Sequence, residues 1–245
     1  QTKQYDSALS SVEKAMSLAK AKGKEPKENW YLLLRVLYYD KGDMAKVEWV
    51  LEELIQRWPK KDYFTQLSGI YGERGKEARQ LSAMEFALDQ GMLTRQQELL
   101  NMAYLFLGSD TPWKAAKVVD SGLKAKNIEA TSKNYELLGN SLRAAQEVDK
   151  AIPAMEKAAK LSKQGEPWAR LANIYLDNDQ YGKAASAART ALKRGKLKSA
   201  SNTQIVLGMS LYNMKELDAA RKEFVKLSKS KNENTKKMAQ DWLRF

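Results

Sequence analysis

The segment Pro167-Trp-Ala-Arg-Leu-Ala-Asn-Ile-Tyr-Leu-Asp177, the turn Asn178-Asp-Gln180, and then Tyr181-Gly-Lys-Ala-Ala-Ser-Ala-Ala-Arg-Thr-Ala191 carry two apolar stripes separated by polar residues. Trp168, Leu171, Ala172 and Tyr175 recur at spacings of three and four, which places them on one face of an α-helix. Ala184, Ala188 and Ala191 form a second stripe of small residues on a following helix. The same frame returns as Tyr135, Leu138, Gly139, Leu142, then Ala151, Met155, Ala158. Downstream it reads Gln204, Leu207, Gly208, Leu211, then Ala220, Phe224, Leu227. Upstream it weakens to Leu99, Met102, Ala103, Phe106 with Ala115 and Val119, and to Phe64, Leu67, Ser68, Tyr71 with Met84 and Ala87. A first copy reads Trp30, Leu33, Leu34, Leu37 with Val50, closed by Pro59.

These frames follow one another at displacements of 34, 35, 36, 33 and 36 residues, the period of a helix-turn-helix repeat. A large residue on a first helix needs a small one opposite where two helices cross closely. Gly139, Gly208, Ala172 and Ala103 supply that room on first helices, and Ala151, Ala184 and Ala220 supply it on second helices. No single pair can bury both of its faces, so neighbouring pairs must stack. Turn residues fall between paired helices at Asp40-Lys-Gly-Asp43, Gly72-Glu-Arg-Gly75, Asp177-Asn-Asp179 and Asn213-Met-Lys215. Pro112 and Pro167 suit first turns, where a missing N–H costs nothing. Pro153 lies early in a second helix, where a slight bend is expected.

The pattern resembles the tetratricopeptide-repeat (TPR) family. The expected fold is all-α, a right-handed α-solenoid of helix-turn-helix repeats forming an α-α superhelix. One array is expected over residues 1–245, with a lone second helix at 5–21 (Tyr5-Asp-Ser-Ala8, Val12, Ala15). Six full repeats follow at about 27–60, 61–95, 96–131, 132–164, 165–200 and 201–231. A capping helix at 234–245 is expected to bury Met238, Trp242 and Phe245 while exposing Lys236, Lys237 and Arg244. The lone helix and the start at Gln1 lead to the expectation that further repeats precede residue 1.

Composition agrees with this class and narrows the chemistry. Among 245 residues, 43% are hydrophobic and only 13 Gly and 5 Pro occur, too few for a turn-rich β protein. Ala, Leu, Lys and Glu, all strong helix formers, dominate. With no Cys, disulfides and thiolate chemistry are excluded, and with no His the usual near-neutral base and metal ligand are missing. Apolar runs such as Trp30–Leu34 fall far short of the roughly 20 residues that span a bilayer. No charged-then-apolar export signal opens the chain at Gln1.

Formal net charge is +12, and from Lys183 onward 15 Lys/Arg face 5 Asp/Glu. A hydrated surface explains this spread of charge. The excess also leaves open a polyanion site for nucleic acid or glycolipid around Lys193, Arg194, Lys196 and Lys198.

No nucleotide, zinc-protease, nucleophile-elbow or calcium-loop motif occurs. The acid pairs Glu52/Glu53 and Asp177/Asp179 read as cap and surface charges, so no enzyme, metal or cofactor is expected. Trp30 and Trp168 read as core, and inter-repeat packing is expected for Trp49, Trp58 and Trp113. Met84, Met102 and Met155 read as gap-fillers.

In TPR proteins first helices line the groove that receives a partner. The resemblance therefore implies a peptide- or protein-binding face made of Tyr31, Arg35, Tyr38, Tyr39, Gln66, Asn101, Tyr104, Asn140, Arg143, Arg170, Asn173, Tyr212 and Asn213. Glu73, Glu136, Asp177 and Asn202 lie beside them. Asn, Arg and Tyr hydrogen-bond peptide backbones and supply rigid contact area. Asn140, Arg170 and Asn173 partly match the carboxylate clamp of chaperone-binding TPR proteins. Glu136 and Ala169 stand where that clamp wants other residues, so chaperone-tail binding is not expected.

Several stretches are similar to a narrower group, the TPR proteins of ExbB/ExbD/TonB-type clusters in Gram-negative bacteria. They are Asn29-Trp30 with its Leu run, Val50-Leu-Glu-Glu-Leu54 to Pro59-Lys-Lys61, Gln66-Leu-Ser-Gly-Ile-Tyr-Gly72, Lys114-Ala-Ala-Lys-Val118 and Asp149-Lys-Ala-Ile-Pro153. The resemblance implies a periplasmic adaptor in TonB-dependent uptake of iron complexes, with a protein partner from that system and no small-molecule substrate. The alternative expectation is a helical scaffold region of a larger cell-envelope enzyme or assembly.

Overall fold

The computed structural model describes residues 2–244, and among them every regular element is helical. The chain divides into two compact units that meet in sequence between Ser109 and Asp110. The first unit holds α1 (Thr2–Ala21), α2 (Glu28–Asp40), α3 (Met44–Arg57), α4 (Lys61–Glu73), α5 (Glu77–Asp89) and α6 (Gln96–Gly108). The second holds α7 (Pro112–Lys124), α8 (Ser132–Ala144), α9 (Val148–Leu161), α10 (Glu166–Asp177), α11 (Tyr181–Arg194), α12 (Ala200–Asn213), α13 (Leu217–Leu227) and α14 (Glu233–Trp242). Reversing pairs are α2/α3 and α4/α5 in the first unit and α8/α9, α10/α11 and α12/α13 in the second, while the division falls inside the expected repeat 96–131, between α6 and α7.

Tight turns reverse the chain within pairs, and their hydrogen bonds explain their sequences. After α2, the Gly42 N–H donates to Tyr39 O and the Asp43 N–H to Tyr38 O, both at 2.9 Å. The same two bonds close α4, from Gly75 to Gly72 O (3.1 Å) and from Lys76 to Tyr71 O (2.8 Å). This arrangement satisfies the last helical carbonyls through one residue in the left-handed region, where glycine has no Cβ to clash. Gln146, Asp179 and Lys215 take that place in the second unit, at φ of 61°, 56° and 65°. Asp43 also caps α3 by accepting from the Lys46 N–H at 3.0 Å. Pro112 opens α7, Pro167 lies in the first turn of α10, and α9 continues through Pro153.

Each unit has its own core. Tyr31, Leu34, Val50, Leu51 and Leu54 are almost wholly buried in the first; Met155, Leu171, Ala172, Leu211 and Phe224 fill the second. The expected close crossings are present: a Cβ on Gly139 would lie 2.5 Å from Met155 Sδ, and one on Gly208 would lie 2.8 Å from the Phe224 ring. Ala184, Ala188 and Ala191 are fully buried opposite their partners. In the first unit an ionic cluster ties α3 to the α4–α5 turn. The buried Glu48 carboxylate lies 2.7 Å from Lys76 Nζ and 3.3 Å from Arg79, and it also accepts from Arg74. An acceptor buried this deeply needs such partners to offset its lost hydration.

Three expectations are corrected. In α2 the buried face is Tyr31, Leu34, Leu37 and Tyr38, whereas Leu33 is 46% exposed. The first copy of the frame is therefore shifted by one residue, and its displacement to Phe64 is 33 residues from Tyr31. In α14 the inward face is Thr235, Ala239 and Trp242, while Met238 is exposed and Phe245 lies outside the described residues. Thr235 and Ala239 share a helical stripe with Trp242 through steps of four and three, which leaves Met238 to one side. Trp49 and Trp113, expected to pack between repeats, are 39% and 48% exposed. Trp58 does pack, edge-on to Tyr31 with ring centroids 5.8 Å apart.

Candidate functional site

First helices present their free flanks in two hollows, one in each unit. In the first unit α2 and α4 flank a hollow of about 350 Å³ floored by Val47 and Leu51 of α3. Arg35, Val36 and Tyr39 line one side, with Gln66 and Glu73 opposite. Arg35 donates to Gln66 Oε1 across this space, so the two candidate residues brace each other. Tyr39 is 57% exposed, and Val36 beside it is 43% exposed. Arg35, Tyr39 and Gln66 are thus brought together as one apolar-floored, polar-rimmed surface.

The second unit has a comparable hollow of about 430 Å³ between α8 and α10, above the start of α9. Asn140 and Arg143 line it together with Gln146, Asp177 and Asn178. Gln146 and Asn178 belong to turns, and no periodic pattern could have singled them out. Arg170 bridges neighbouring first helices, 3.0 Å from Glu136 on α8 and 3.3 Å from Glu166 on its own helix. A guanidinium between two carboxylates holds α10 in register with α8 and keeps a polar seam on this face.

The other candidates divide by what already holds them. Asn173 and Asn213 are exposed, and each spends a side-chain N–H on the carbonyl four residues back, at 2.8 and 2.9 Å. Asn101 accepts from Gln97 at 2.7 Å, and Tyr104 beside it is 50% exposed. The Tyr212 ring meets Trp242 edge-on at 5.2 Å, so α14 covers part of it.

Tyr31 and Tyr38 are corrections. Both are buried, and their hydroxyls donate away from the hollow, to Glu53 (3.3 Å) and Glu13 (2.5 Å). The one-residue shift of α2 is the cause: it rotates these two tyrosines into the core. Burial and the hydrogen bond to Glu13 both hold the Tyr38 hydroxyl well above the usual phenol range.

Of the acid pairs read as cap and surface charges, Glu52 and Glu53 are tied to neighbouring side chains. Glu52 accepts from Tyr71 at 2.8 Å and Glu53 accepts from Tyr31 and Arg57. Among the described residues no group of three or more Asp, Glu, His or Cys could hold a metal ion, and no helix is long and apolar enough to cross a membrane.

No family model and no curated protein matches the chain. Solved structures do. A MamA crystal structure aligns at 17% identity and a TM-score of 0.54 over 66% of this chain and 87% of MamA. PilW, described as a widely conserved type IV pilus biogenesis factor, aligns at 13% identity and a TM-score of 0.52 over 87% of this chain and 98% of PilW. A structure of Naa15/Naa10 bound to HypK-THB aligns at 14% identity and a TM-score of 0.71, over 98% of this chain and 37% of the other. These neighbours are helical-repeat proteins of the TPR type. At such identities the likeness is one of architecture, and the chain has the all-helical, TPR-type solenoid fold.

Proposed function

We propose that this chain is a non-catalytic scaffold whose first-helix face holds an extended or helical segment of another protein. The observation that carries this reading is the pair of hollows at Arg35/Tyr39/Gln66 and Asn140/Arg143. Each combines an apolar part with hydrogen-bonding side chains on rigid helices. Such a mixture suits a peptide, whose backbone needs polar partners and whose side chains need apolar contact. TPR-type neighbours such as PilW, named for pilus biogenesis, make an assembly role a natural one for the fold.

The finer reading is a periplasmic adaptor of a TonB-type system, and its support is the sequence resemblance alone. Titration with the periplasmic segments of TonB- and ExbD-type proteins tests it. Binding in the micromolar range, weakened about tenfold by Tyr39→Ala or Arg143→Glu, is the expected result. No binding of either segment at high micromolar concentration removes the TonB assignment. Equal binding by both variants removes the hollows as the site.

A further inference from the structure

A third and larger hollow, of about 600 Å³, lies in the second unit on the opposite flank of α8, between the second helices α7 and α9. Its floor is apolar, from Leu138 and Leu142 of α8 and Ala154 of α9. Its rim is lysine on both sides. Lys117 and Lys124 line the α7 edge, Lys150 and Lys157 the α9 edge, and Asp120 is the single carboxylate of the lining. Within each helix the two lysines are seven residues apart, two turns or about 10 Å along the axis. Two parallel rows of positive charge thus flank an apolar trench.

Of the aromatic residues in the lining, Trp113 is exposed and Tyr135 is half-buried, and a lysine lies over each ring. Trp113 is 48% exposed with Lys150 Nζ 4.9 Å from its ring centre, and Lys157 Nζ lies 5.3 Å from that of Tyr135. Lys124 pairs with Asp120 at 2.5 Å and Lys150 with Glu147 at 2.8 Å. Lys117 and Lys157 have no ion-pair partner among the described residues. The corresponding hollow of the first unit, over α4 between α3 and α5, has a rim of mixed sign with Glu52 and Arg79, and the stacked rings of Phe64 and Phe86 lie at 5.2 Å beside it. The excess of lysine, four against the one carboxylate of Asp120, is therefore not shared by the hollow over α4.

We infer that the α7–α9 trench docks an acidic amphipathic helix of a partner protein. Its apolar stripe meets Leu138, Leu142 and Trp113 while carboxylates on both flanks meet the two lysine rows. A helix presents residues i, i+3, i+4 and i+7 on one side with charges on either shoulder, which is the complement of a trench between two parallel helices. The site is separate from the first-helix hollows and can be filled independently of them.

The test uses the full chain and a fluorescein-labelled synthetic peptide of about 18 residues, with Leu at i, i+3, i+4, i+7 positions and Glu on the shoulders. A scrambled peptide of the same composition serves as its control. Anisotropy titration is expected to show binding that is at least about tenfold weaker for the scramble and about tenfold weaker for the exposed double variant Lys117→Glu/Lys157→Glu. Trp113→Ala is expected to weaken it too, and circular dichroism melting checks that each variant is folded. Equal binding of the scramble, or a double variant that binds as well as the parent, overturns the inference. Binding lost through Arg143→Glu instead would move the peptide to the first-helix face. Binding of phosphatidylglycerol vesicles through the same lysines, with no peptide binding, would replace the protein partner by a lipid surface.

Discussion

Gln146, Asp179 and Lys215 hold left-handed backbone conformations in turns where Gly42 and Gly75 do the same task in the first unit. A side chain in that region costs roughly 1–2 kcal/mol, partly offset because glycine loses more freedom on folding. Gln146→Gly and Lys215→Gly are each expected to stabilise by about 0.5–1 kcal/mol, read as a higher midpoint in urea or heat. Gly165 is the reverse case. A Cβ there would meet Ala191 O at 2.2 Å and Gly195 O at 2.6 Å, both backbone, whereas a Cβ on Gly69 would meet nothing within 4 Å. Gly165→Ala is expected to cost about 1–3 kcal/mol and Gly69→Ala to cost nothing in thermal melts; equal effects would refute the packing account. At this scale the sequence was legible where a glycine or alanine marks a crossing, as at Gly139 and Gly208. It was not legible in Trp30-Tyr-Leu-Leu-Leu34, because an apolar residue at every position gives periodicity nothing to phase on.

Between elements, the same clip joins a second helix to the next first helix at two places, α3 to α4 and α9 to α10. Tyr71 on α4 donates to Glu52 on α3, and Tyr175 on α10 donates to Glu156 on α9 at the same separation of 19 residues. A cation eight residues after each tyrosine lies over its ring, Arg79 at 5.9 Å and Lys183 at 5.5 Å. Burial, and then the hydrogen bond to Glu52, push the Tyr71 hydroxyl from 10.0 up to about 12. Because the folded value is the higher one, this contribution is complete below pH 10 and is lost as pH rises through about 12. Tyr71→Phe is expected to lower stability by about 0.5–1.5 kcal/mol at neutral pH and to flatten the alkaline fall in urea-unfolding free energy between those limits. An unchanged alkaline slope would show that the hydroxyl is not held. The helices and their tight turns were readable from local spacing and turn chemistry. The Glu48 cluster was not, since its partners stand 26 to 31 residues away and look like ordinary surface charges. Nor was the inward face of α14, where a small polar residue, Thr235, takes a buried position.

At the scale of the molecule, each unit carries a separate apolar core, one running from Met16 to Tyr71 and the other from Ile152 to Ala239. In stacked repeats each pair depends on its neighbours, so a unit with its own core should stand alone. Residues 110–245 expressed as a fragment are expected to give a helical far-UV spectrum and a cooperative melt; a non-cooperative, molten fragment would refute this. Of the polar positions that the sequence offers on first helices, Arg35, Tyr39, Gln66, Asn140 and Arg143 line the two hollows. The hollows themselves were not legible, because their width is set by how far apart alternate helices stand. The most direct measurement is photo-crosslinking in the native host, with benzoylphenylalanine placed at Tyr39, at Arg143 and at the exposed control position Lys229. A scaffold that grips a partner through its first helices gives a discrete adduct with one other polypeptide at Tyr39 or Arg143 and none at Lys229. Adducts absent from both hollows, or no more frequent there than at Lys229, would contradict it.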